Sequence, residues 1–397
     1  MNSPARLLLW TDDPGRGGVA QYNHSLALAL RAAGHAVCLV QTRADTPLIR
    51  AQAAAGITHR FLDYDTSADF ARTLSDTDTA RDIFAAEQPD AIIFSDGCPL
   101  SNLAARQEAC AQSLPFVCVV GFVAPYLAER FPAALPVLAR HYAAAAEVVA
   151  VSAENLAQLR RLYRLPAGKG RVIHYGRPPE FFSPPEPSVR ARLRATLGLG
   201  PETCLILTPA RLTKIKGHTY QLAALEALCA QSPATAPHAV WLGDGETRPA
   251  LEAEIIRRGL TGRVHLLGHR WDAADWFDAA DIFVLSTEHE GMPLSIMEAM
   301  AKGLPVAASA VSGIPEQLGS AGCLLPDPKS RALDCAILLA RTLATWCADA
   351  ALRHRLGQAG RERALRLFTE ARMHRDTLAL LDSRLLSASP LSACTLP

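Results

Sequence analysis

Several classes of protein are excluded by what this sequence of 397 residues lacks. Its ten cysteines form no CxxC pair, and none lies with histidines at the spacing of a zinc site. Aromatic residues are only 6% of the chain, and 40 basic residues nearly balance 39 acidic ones, so the composition favours neither nucleic acid nor an obligate acidic partner. No uninterrupted apolar run reaches the roughly 18–20 residues that a membrane span needs.

The start of the chain also lacks the long apolar core of a signal peptide. MNSPARLLLWTDD has a short apolar run and reaches two aspartates at once. Most cysteines lie inside apolar runs such as FVCVV and TCLIL, which is typical of reduced thiols in a protein core. We therefore expect a cytoplasmic enzyme, and a chain of this length predicts two domains.

Short apolar runs alternate with helical patterns in the first part of the chain. RLLLW at 6–10 is followed by a glycine-rich turn, by an amphipathic pattern at 20–35 and by AVCLVQT at 36–42. Further apolar runs lie at 90–95, 115–121 and 147–152. This alternation predicts a parallel, doubly wound sheet.

A proline-rich segment, GRPPEFFSPPEPS at 176–188, interrupts this alternation and predicts a domain joint. After it the alternation restarts, so a second domain of the same class is expected. Its apolar runs lie at 203–210, 238–245, 263–268, 281–286 and 304–309. Residues 369–387 predict a long amphipathic helix, and 388–397 a frayed end.

The segment EHEGMPLSIME, at 288–298, has glycine and proline at the predicted start of a helix. It follows the apolar run DIFVLS, so it is expected beyond the carboxyl end of a strand, where open parallel sheets bind ligands. Pro293 suits the first turn of the helix, and Gly303 with Pro305 is expected to end it. Free amides at such a helix start would form a phosphate site. These amides belong to Gly291, Met292, Leu294 and Ser295.

Two carboxylates flank this helix start, Glu290 before the turn and Glu298 in the second turn of the helix. Carboxylates accept hydrogen bonds from hydroxyl groups, and one carboxylate can accept from both hydroxyls of a cis-diol. The segment therefore suits a ligand that has a phosphate with sugars on both sides of it. Two glutamates near a helix start more often face water or favour the helix dipole, so this interpretation needs support from other residues.

That support comes from PARLTKIKGHTY, at 209–220, which follows the first predicted strand of the second half. Arg211 and Lys216 are cations in a loop of short polar residues that Gly217 closes at a helix start. Two cations beside an amide cluster suit a diphosphate leaving group. As a loop cation, Lys216 is expected to add little to fold stability.

A glycine-rich turn in the first half, DDPGRGGVAQY at 12–22, precedes the first helix. Gly15, Gly17 and Gly18 let the backbone approach a ligand closely. The turn is not GxGxxG, and the strand AVCLVQT is followed by Arg43 instead of an acid. A dinucleotide-binding fingerprint is therefore absent.

With these motifs together, the sequence resembles the family-4 type of retaining, nucleotide-sugar-dependent glycosyltransferases with the GT-B fold. The resemblance covers nearly the whole chain and is densest from PARLTKIKG, through WLGDGETRPALE and VHLLGHRWD, to EHEGMPLSIMEAMAKGLPV. The pattern E-x7-E at Glu290 and Glu298 is specific when it follows Lys-Gly at 216–217. At the front, GRGGVAQYNHSLALALRAAGHAV is similar to the family's Gly-Gly loop and first helix.

The resemblance implies an α/β fold of two facing Rossmann-like domains with parallel sheets. Residues 1–180 would form the acceptor-side domain and 181–368 the nucleotide-sugar donor domain, and 369–397 would be a helix crossing back to the first domain, with a frayed tail. It also implies a retaining hexosyltransferase that moves a sugar from a nucleoside-diphosphate sugar to an acceptor hydroxyl. The acceptor would be a sugar, a glycan or a lipid-linked molecule, in polysaccharide or glycoconjugate synthesis.

The resemblance also implies a role for each cation and for the glycine-rich turn. Arg211 and Lys216 would hold the donor diphosphate, and Gly17 and Gly18 would close over it from the opposite domain. Fixed cations that meet the charge of a departing nucleotide are the main catalytic device of such a site. No acid pair of the DxD type is placed to hold a metal, so we expect neither a cofactor nor a metal.

The remaining roles fall on the EHEGMPLSIME segment. Glu298 would bind the ribose hydroxyls, and Glu290 would act in catalysis beside the donor hexose. The backbone of the turn would hold hexose and phosphate. This backbone belongs to Gly291, Met292, Pro293 and Leu294.

The sequence departs from the family pattern at two places. Family members commonly have a histidine after the strand that corresponds to PFVCVV, where this chain has Gly121. The usual Asn-Gly before the linker is replaced by Tyr175-Gly176. None of three histidines elsewhere is a credible substitute on sequence grounds. They are His24, His141 and His174.

Two alternative functions stay open. One is a GT-B epimerase of nucleotide sugars, which would need acid and base residues that the sequence does not place in the crevice. The other is a nucleotide-sugar-binding protein without transferase activity, which the glycine at position 121 favours.

A third open point is a weak contact with the inner membrane surface. The segment 160–177 has six basic residues and no acid. A solvated basic loop is the favoured interpretation, because each basic residue near an anionic surface adds only about 1 kcal/mol.

Overall fold

A computed structural model of the chain describes residues 4–13, 17–66, 68–233 and 235–386. Gly15, Cys394 and the segment 388–397, which the sequence predicts to be frayed, lie outside the described residues. Contacts divide the chain into two compact units. The first unit is Met1–Tyr175 with Glu370–Pro397, and the second is Gly176–Thr369.

The first unit is built on a seven-stranded parallel sheet in the order β3-β2-β1-β4-β5-β6-β7. Its strands are β1 (Arg6–Thr11), β2 (Ala36–Thr42), β3 (Thr58–Leu62), β4 (Ala91–Asp96), β5 (Phe116–Val120), β6 (Glu147–Ala150) and β7 (Arg171–Val172). The central strands are buried along almost their whole length, as expected where helices cover both faces of a parallel sheet. The predicted doubly wound sheet is confirmed.

Two edge strands have no apolar run that predicts them. β3 has the sequence THRFL, in which exposed and more buried residues alternate, and β7 has only two residues. Edge strands bury one face less completely, so their sequences are less apolar than those of central strands.

Nine helices of the described residues belong to the first unit. They are α1 (Gly18–Ala32), α2 (Pro47–Ala54), α3 (Phe70–Ser75), α4 (Thr77–Glu87), α5 (Leu103–Ala111), α6 (Pro125–Arg130), α7 (Leu135–Ala144), α8 (Ala153–Leu162) and α17 (Glu370–Leu381). The last of them, α17, packs on α1: the Ser25 hydroxyl donates to Glu370 Oε1 at 2.5 Å and lies 2.7 Å from His374 Nε2. The chain therefore returns to the first unit through the C-terminal helix.

The second unit has a six-stranded parallel sheet in the order β10-β9-β8-β11-β12-β13. Its strands are β8 (Leu205–Pro209), β9 (His238–Leu242), β10 (Val264–Leu266), β11 (Ile282–Leu285), β12 (Val306–Ser309) and β13 (Cys323–Leu325). Its helices are α9 (Pro187–Thr196), α10 (His218–Gln231), α11 (Arg248–Arg257), α12 (Ala273–Ala279), α13 (Leu294–Ala301), α14 (Ile314–Leu318), α15 (Ala332–Ala348) and α16 (Ala350–Leu367). The short edge strand β13 and the helices α15 and α16 are additions to the predicted pattern.

The order of strands fixes where each sheet can bind a ligand. In the first sheet β1 lies between β2 and β4, and in the second β8 lies between β9 and β11. At such a switch point the following connections run in opposite directions, which leaves a crevice beyond the carboxyl ends of the two strands. A ligand site is therefore expected at the loops after β8 and β11.

Within the described residues, no single helix has both the length and the apolar character needed to cross a membrane. The pair α15 and α16 meets that test only when the two are taken together, and the chain bends by 109° between them.

Candidate functional site

Two loops of the second unit meet at the switch point of its sheet. The amide of Glu288, after β11, donates to the carbonyl of Ile215, after β8, at 2.7 Å. The Ser286 hydroxyl donates to the carbonyl of Gly217 at 2.8 Å. Gly217 has a φ of 68°, and a Cβ there would lie 1.9 Å from the Ser286 carbonyl oxygen. Only glycine allows this approach, so the close contact of the two loops depends on it.

This contact brings Lys216 and Glu290 together. The ammonium Nζ lies 2.5 Å from Glu290 Oε1, and the two side chains are 16% and 10% exposed. The Glu290 amide donates to the Ser312 hydroxyl at 3.1 Å, which holds the carboxylate's backbone in place. Lys216, which the sequence predicts to be a loop cation with little effect on fold stability, is therefore half of a nearly buried ion pair.

Arg211 differs from Lys216 in its surroundings. It is exposed, and the part of the chain that the structure describes gives its side chain no ion-pair partner. Its backbone is fixed, because the Thr213 amide donates to the Arg211 carbonyl at 2.9 Å. A positively charged side chain on a fixed backbone is thus available in the same loop as Lys216.

The helix α13 begins at Leu294, one residue after the proline that was expected in its first turn. No side chain caps its N-terminus. Within the described residues, the amides of Gly291, Met292 and Leu294 donate to no acceptor. The turn is held from its other side, since Gln317 Nε2 donates to the Pro293 carbonyl at 2.9 Å. An uncapped helix start with a fixed turn is a site for an anion.

The second carboxylate, Glu298, lies in the second turn of α13. Its Oε1 is 2.8 Å from Nη2 of Arg177, and both side chains are about nine-tenths buried. Burial raises the pKa of the Glu298 carboxyl, and the nearby Arg177 cation lowers it. In the sequence, Arg177 is only one member of a basic run, and no local pattern predicts that it pairs with Glu298.

That basic run does not form one cationic surface. Arg177 is buried against Glu298, and the Lys169 ammonium donates to the Ala145 carbonyl at 2.5 Å. The exposed cations that remain are Arg160, Arg161, Arg164 and Arg171.

In the first unit, Gly17 and Gly18 lie at the start of α1. Gly17 is the residue before the helix, Gly18 begins it, and no side chain caps this end. A Cβ on Gly17 would lie 3.0 Å from Asp13 Oδ2, so the turn is closely packed. Asp12 fixes the neighbouring strand end, since its Oδ1 accepts from the Gly97 amide at 2.6 Å. Burial raises the pKa of Asp12 to about 6.

The two departures from the family pattern lie side by side in this unit. A Cβ on Gly121 would be 2.7 Å from Tyr175 Oη and 3.2 Å from Val19 Cγ2. Tyr175 is buried, and its ring centroid lies 4.8 Å from that of Tyr22. Its hydroxyl has no hydrogen-bond partner among the described residues. The tyrosine therefore fills the space that a side chain at position 121 would need.

Of the three histidines that were considered as substitutes, His141 belongs to a different helix, α7, and is buried there. Burial lowers the pKa of His141 to about 4.

No group of three or more histidine, cysteine, aspartate or glutamate side chains suited to a metal ion occurs in the described part of the chain.

Two family models match the two halves of the chain. The model for glycosyltransferase family 4 matches residues 16–181, and the model for glycosyl transferases group 1 matches residues 203–341. The chain belongs to the family-4-type glycosyltransferases with the GT-B fold. The family resemblance of the sequence is thereby confirmed.

Several relatives of this glycosyltransferase chain are curated proteins. The D-inositol 3-phosphate glycosyltransferase of Jonesia denitrificans is 30% identical over 254 residues, which is 62% of this chain and 58% of that protein. The amylovoran biosynthesis glycosyltransferase AmsK of Erwinia amylovora is 35% identical over 184 residues, 44% of this chain and 42% of that protein. The matches thus span about half the length of these relatives.

Solved structures share the fold over nearly the whole chain. Anabaena Alr3699/HepE in complex with UDP and glucose has a TM-score of 0.79 at 20% identity, covering 96% of this chain and all of that one. A glycosyltransferase from Rickettsia africae has a TM-score of 0.78 at 18% identity, covering 97% of this chain and all of that one. At such identities the likeness shows the fold alone.

Proposed function

We propose that the protein is a retaining glycosyltransferase, which moves a sugar from a nucleoside-diphosphate sugar to an acceptor hydroxyl. The observation that carries this proposal is the cluster at the β8–β11 switch point. There the Lys216–Glu290 pair, the cation Arg211 and the uncapped start of α13 occupy adjoining loops. The names of the curated relatives support the same activity class.

The diphosphate is the group that this cluster suits best. As the bond to the sugar breaks, negative charge develops on the departing nucleotide, and donors already in place stabilise it. The free amides of α13 and the side chains of Arg211 and Lys216 would meet that charge. Lys216 would exchange its contact with Glu290 for one with a phosphate oxygen, which leaves the Glu290 carboxylate free to face the sugar.

The sugar gains positive character as the leaving group departs. A carboxylate close to it favours the transition state more than the bound substrate, which is the role proposed for Glu290. Attack on the same face as the leaving group needs no covalent protein nucleophile, so none is assigned. Glu298 would accept hydrogen bonds from the ribose, and no metal would be required.

The acceptor would be a sugar, glycan or lipid-linked hydroxyl, in polysaccharide or glycoconjugate synthesis. Two relatives carry such names, one for an inositol phosphate and one for amylovoran. The roles of Gly17 and Gly18, the cytoplasmic location and a weak membrane contact through the basic segment 160–177 stay predictions.

The test is a screen of transfer and hydrolysis across UDP-, GDP-, ADP- and dTDP-hexoses, with inositol 3-phosphate and simple sugars as acceptors. Lys216→Ala should lower kcat/KM at least about 100-fold, the scale for losing one preorganised charge partner. Lys214→Ala is the matched control, because Lys214 is an exposed cation of the same turn and should keep nearly full activity.

Two outcomes would replace the proposal. Binding of a nucleotide sugar without its consumption would favour a binding protein, which the occupied space at Gly121 motivates. Conversion of the donor to an epimer without any acceptor would favour the GT-B epimerase.

A further inference from the structure

Arg177 lies at the beginning of the second unit, and its side chain reaches the carboxylate of α13. Nη2 of Arg177 lies 2.8 Å from Oε1 of Glu298, and the side chains are only 9% and 11% exposed. Removing one partner of an ion pair this deeply buried strongly destabilises the fold, because the other charge is left unpaired. Because the two residues are far apart in sequence, their contact is a product of the fold.

The position of Arg177 is fixed by its backbone and by a ring. Its amide donates to the carbonyl of Phe368 at 2.8 Å, and it forms a parallel bridge with Thr369. The guanidinium carbon lies 4.6 Å from the centroid of the Phe181 ring. The backbone contacts and the Phe181 ring therefore fix the position of the guanidinium group beside Glu298.

Two other arginines of this unit, the buried Arg194 and the partly buried Arg361, use their donors differently. Arg194 donates to the carbonyls of Gly200, Pro201 and Ala279, and Arg361 donates to those of Ala301 and Phe182. These contacts join loops and helix ends, which is a structural use of a guanidinium.

Arg194 also donates to the Asp281 carboxylate at 3.2 Å, but Arg177 differs from both because the described residues give its side chain a carboxylate partner and no main-chain acceptor. Its Nε has no acceptor among the described residues, so its donors are not spent on main-chain carbonyls. Within the same residues, Oε2 of Glu298 has no hydrogen-bond partner. One carboxylate oxygen is thus held, and the other has its acceptor capacity unused.

We propose that Arg177 is a positioning residue for recognition of the nucleotide's ribose: it holds Oε1 of Glu298 and leaves Oε2 to accept from the ribose hydroxyls. This inference rests on the proposed function, in which Glu298 binds the ribose. The cation also keeps the carboxylate ionised, which preserves its capacity to accept two hydrogen bonds.

The charges around Glu298 agree with this role. Burial raises the pKa of its carboxyl and Arg177 lowers it. Lys302, one turn further along α13, is paired with Asp278 at 2.8 Å, and Arg361 and Arg363 donate to main-chain carbonyls. Arg177 is therefore the charged side chain that offsets the burial of Glu298.

The experiment compares two ligands that differ only in the ribose hydroxyls. Whichever of UDP, GDP and ADP binds wild type most tightly is titrated by calorimetry, beside its 2′,3′-dideoxy analogue. Wild type should prefer the natural nucleotide, and Arg177→Met should lose about tenfold of that preference, the scale of one charge-assisted hydrogen bond. Arg177→Lys should restore part of it, because it keeps the charge.

A pH series separates positioning from simple damage. In Arg177→Met, affinity for the nucleotide should fall at a higher pH than in wild type, because the nearby cation no longer lowers the pKa of the Glu298 carboxyl. In Arg361→Met, a control that removes a partly buried arginine bound to the same helix, the midpoint of this pH dependence should not move. Circular dichroism identifies any variant that is unfolded, and Arg177→Lys then replaces Arg177→Met.

The outcomes distinguish this inference from the proposed function. If wild type binds no nucleoside diphosphate, the proposed function fails. If wild type distinguishes the dideoxy analogue but folded Arg177→Met does so equally well, or if Arg177→Met and Arg361→Met behave alike, then Arg177 has no part in ribose recognition.

Discussion

Replacing Lys216 by methionine tests whether the Lys216–Glu290 pair contributes to the fold. Breaking a fully buried ion pair costs about 3–5 kcal/mol, because one charge is left without a partner. The two side chains are 16% and 10% exposed, so water reaches the remaining carboxylate in part. We therefore expect Lys216→Met to lower the free energy of unfolding by about 2 kcal/mol, a smaller loss than for full burial.

The assay is urea unfolding followed by circular dichroism, with thermal unfolding beside it. For a domain of this size class, about 2 kcal/mol corresponds to a fall in Tm of about 4–8 °C. The added change Glu290→Gln removes the charge left unpaired, so the double variant should be more stable than Lys216→Met alone. Lys214→Met, an exposed cation of the same turn, should stay within about 0.5 kcal/mol of wild type.

Two results would refute this reasoning. If Lys216→Met is as stable as Lys214→Met, the contact contributes nothing to the fold. If the double variant loses the sum of the two single effects, the two side chains do not interact, and the 2.5 Å contact has no energetic meaning.

Three further predictions concern the same site. Glu298→Gln should raise the donor KM more than it lowers kcat, and Glu290→Gln should do the reverse, in steady-state kinetics; the opposite pattern would exchange their roles. Because burial raises the pKa of Glu298, the wild-type donor KM should rise as the pH falls through that raised pKa. By linkage, the free energy of unfolding of wild type should rise relative to that of Glu298→Gln over the same pH range. A donor KM that is independent of pH would contradict this. Activity should survive EDTA, and its loss with recovery only on adding magnesium would contradict the metal-free site.

The sequence predicts the two sheets well because their central strands are buried on both faces. Such strands appear as uninterrupted apolar runs, for example FVCVV in β5 and IFVL in β11. The edge strand β3 gives no such signal, because THRFL carries threonine and arginine on its exposed positions and a histidine between them. The sequence therefore predicts the strands that are fully buried and misses an edge strand that is partly exposed.

The candidate site is predictable to the level of its loops but not of its contacts. Lys216 and Glu290 are 74 residues apart, and the three strands β9, β10 and β11 lie between them in the chain. Their contact requires β8 to pair with β11, which no local pattern specifies. The same holds for Arg177 and Glu298, whose pairing turns an apparent surface cation into a buried one.

Position 121 shows how one departure from a family pattern can depend on another. A Cβ there would lie 2.7 Å from Tyr175 Oη, so a larger side chain at 121 requires the Tyr175 side chain to shift or a smaller residue at 175. The packing at position 121 therefore depends on the residue at position 175. Burial raises the pKa of Tyr175 well above its usual value, so its phenol stays neutral at physiological pH. An imidazole whose pKa is unperturbed titrates near neutral pH, whereas the Tyr175 hydroxyl in this space keeps the same charge over that range.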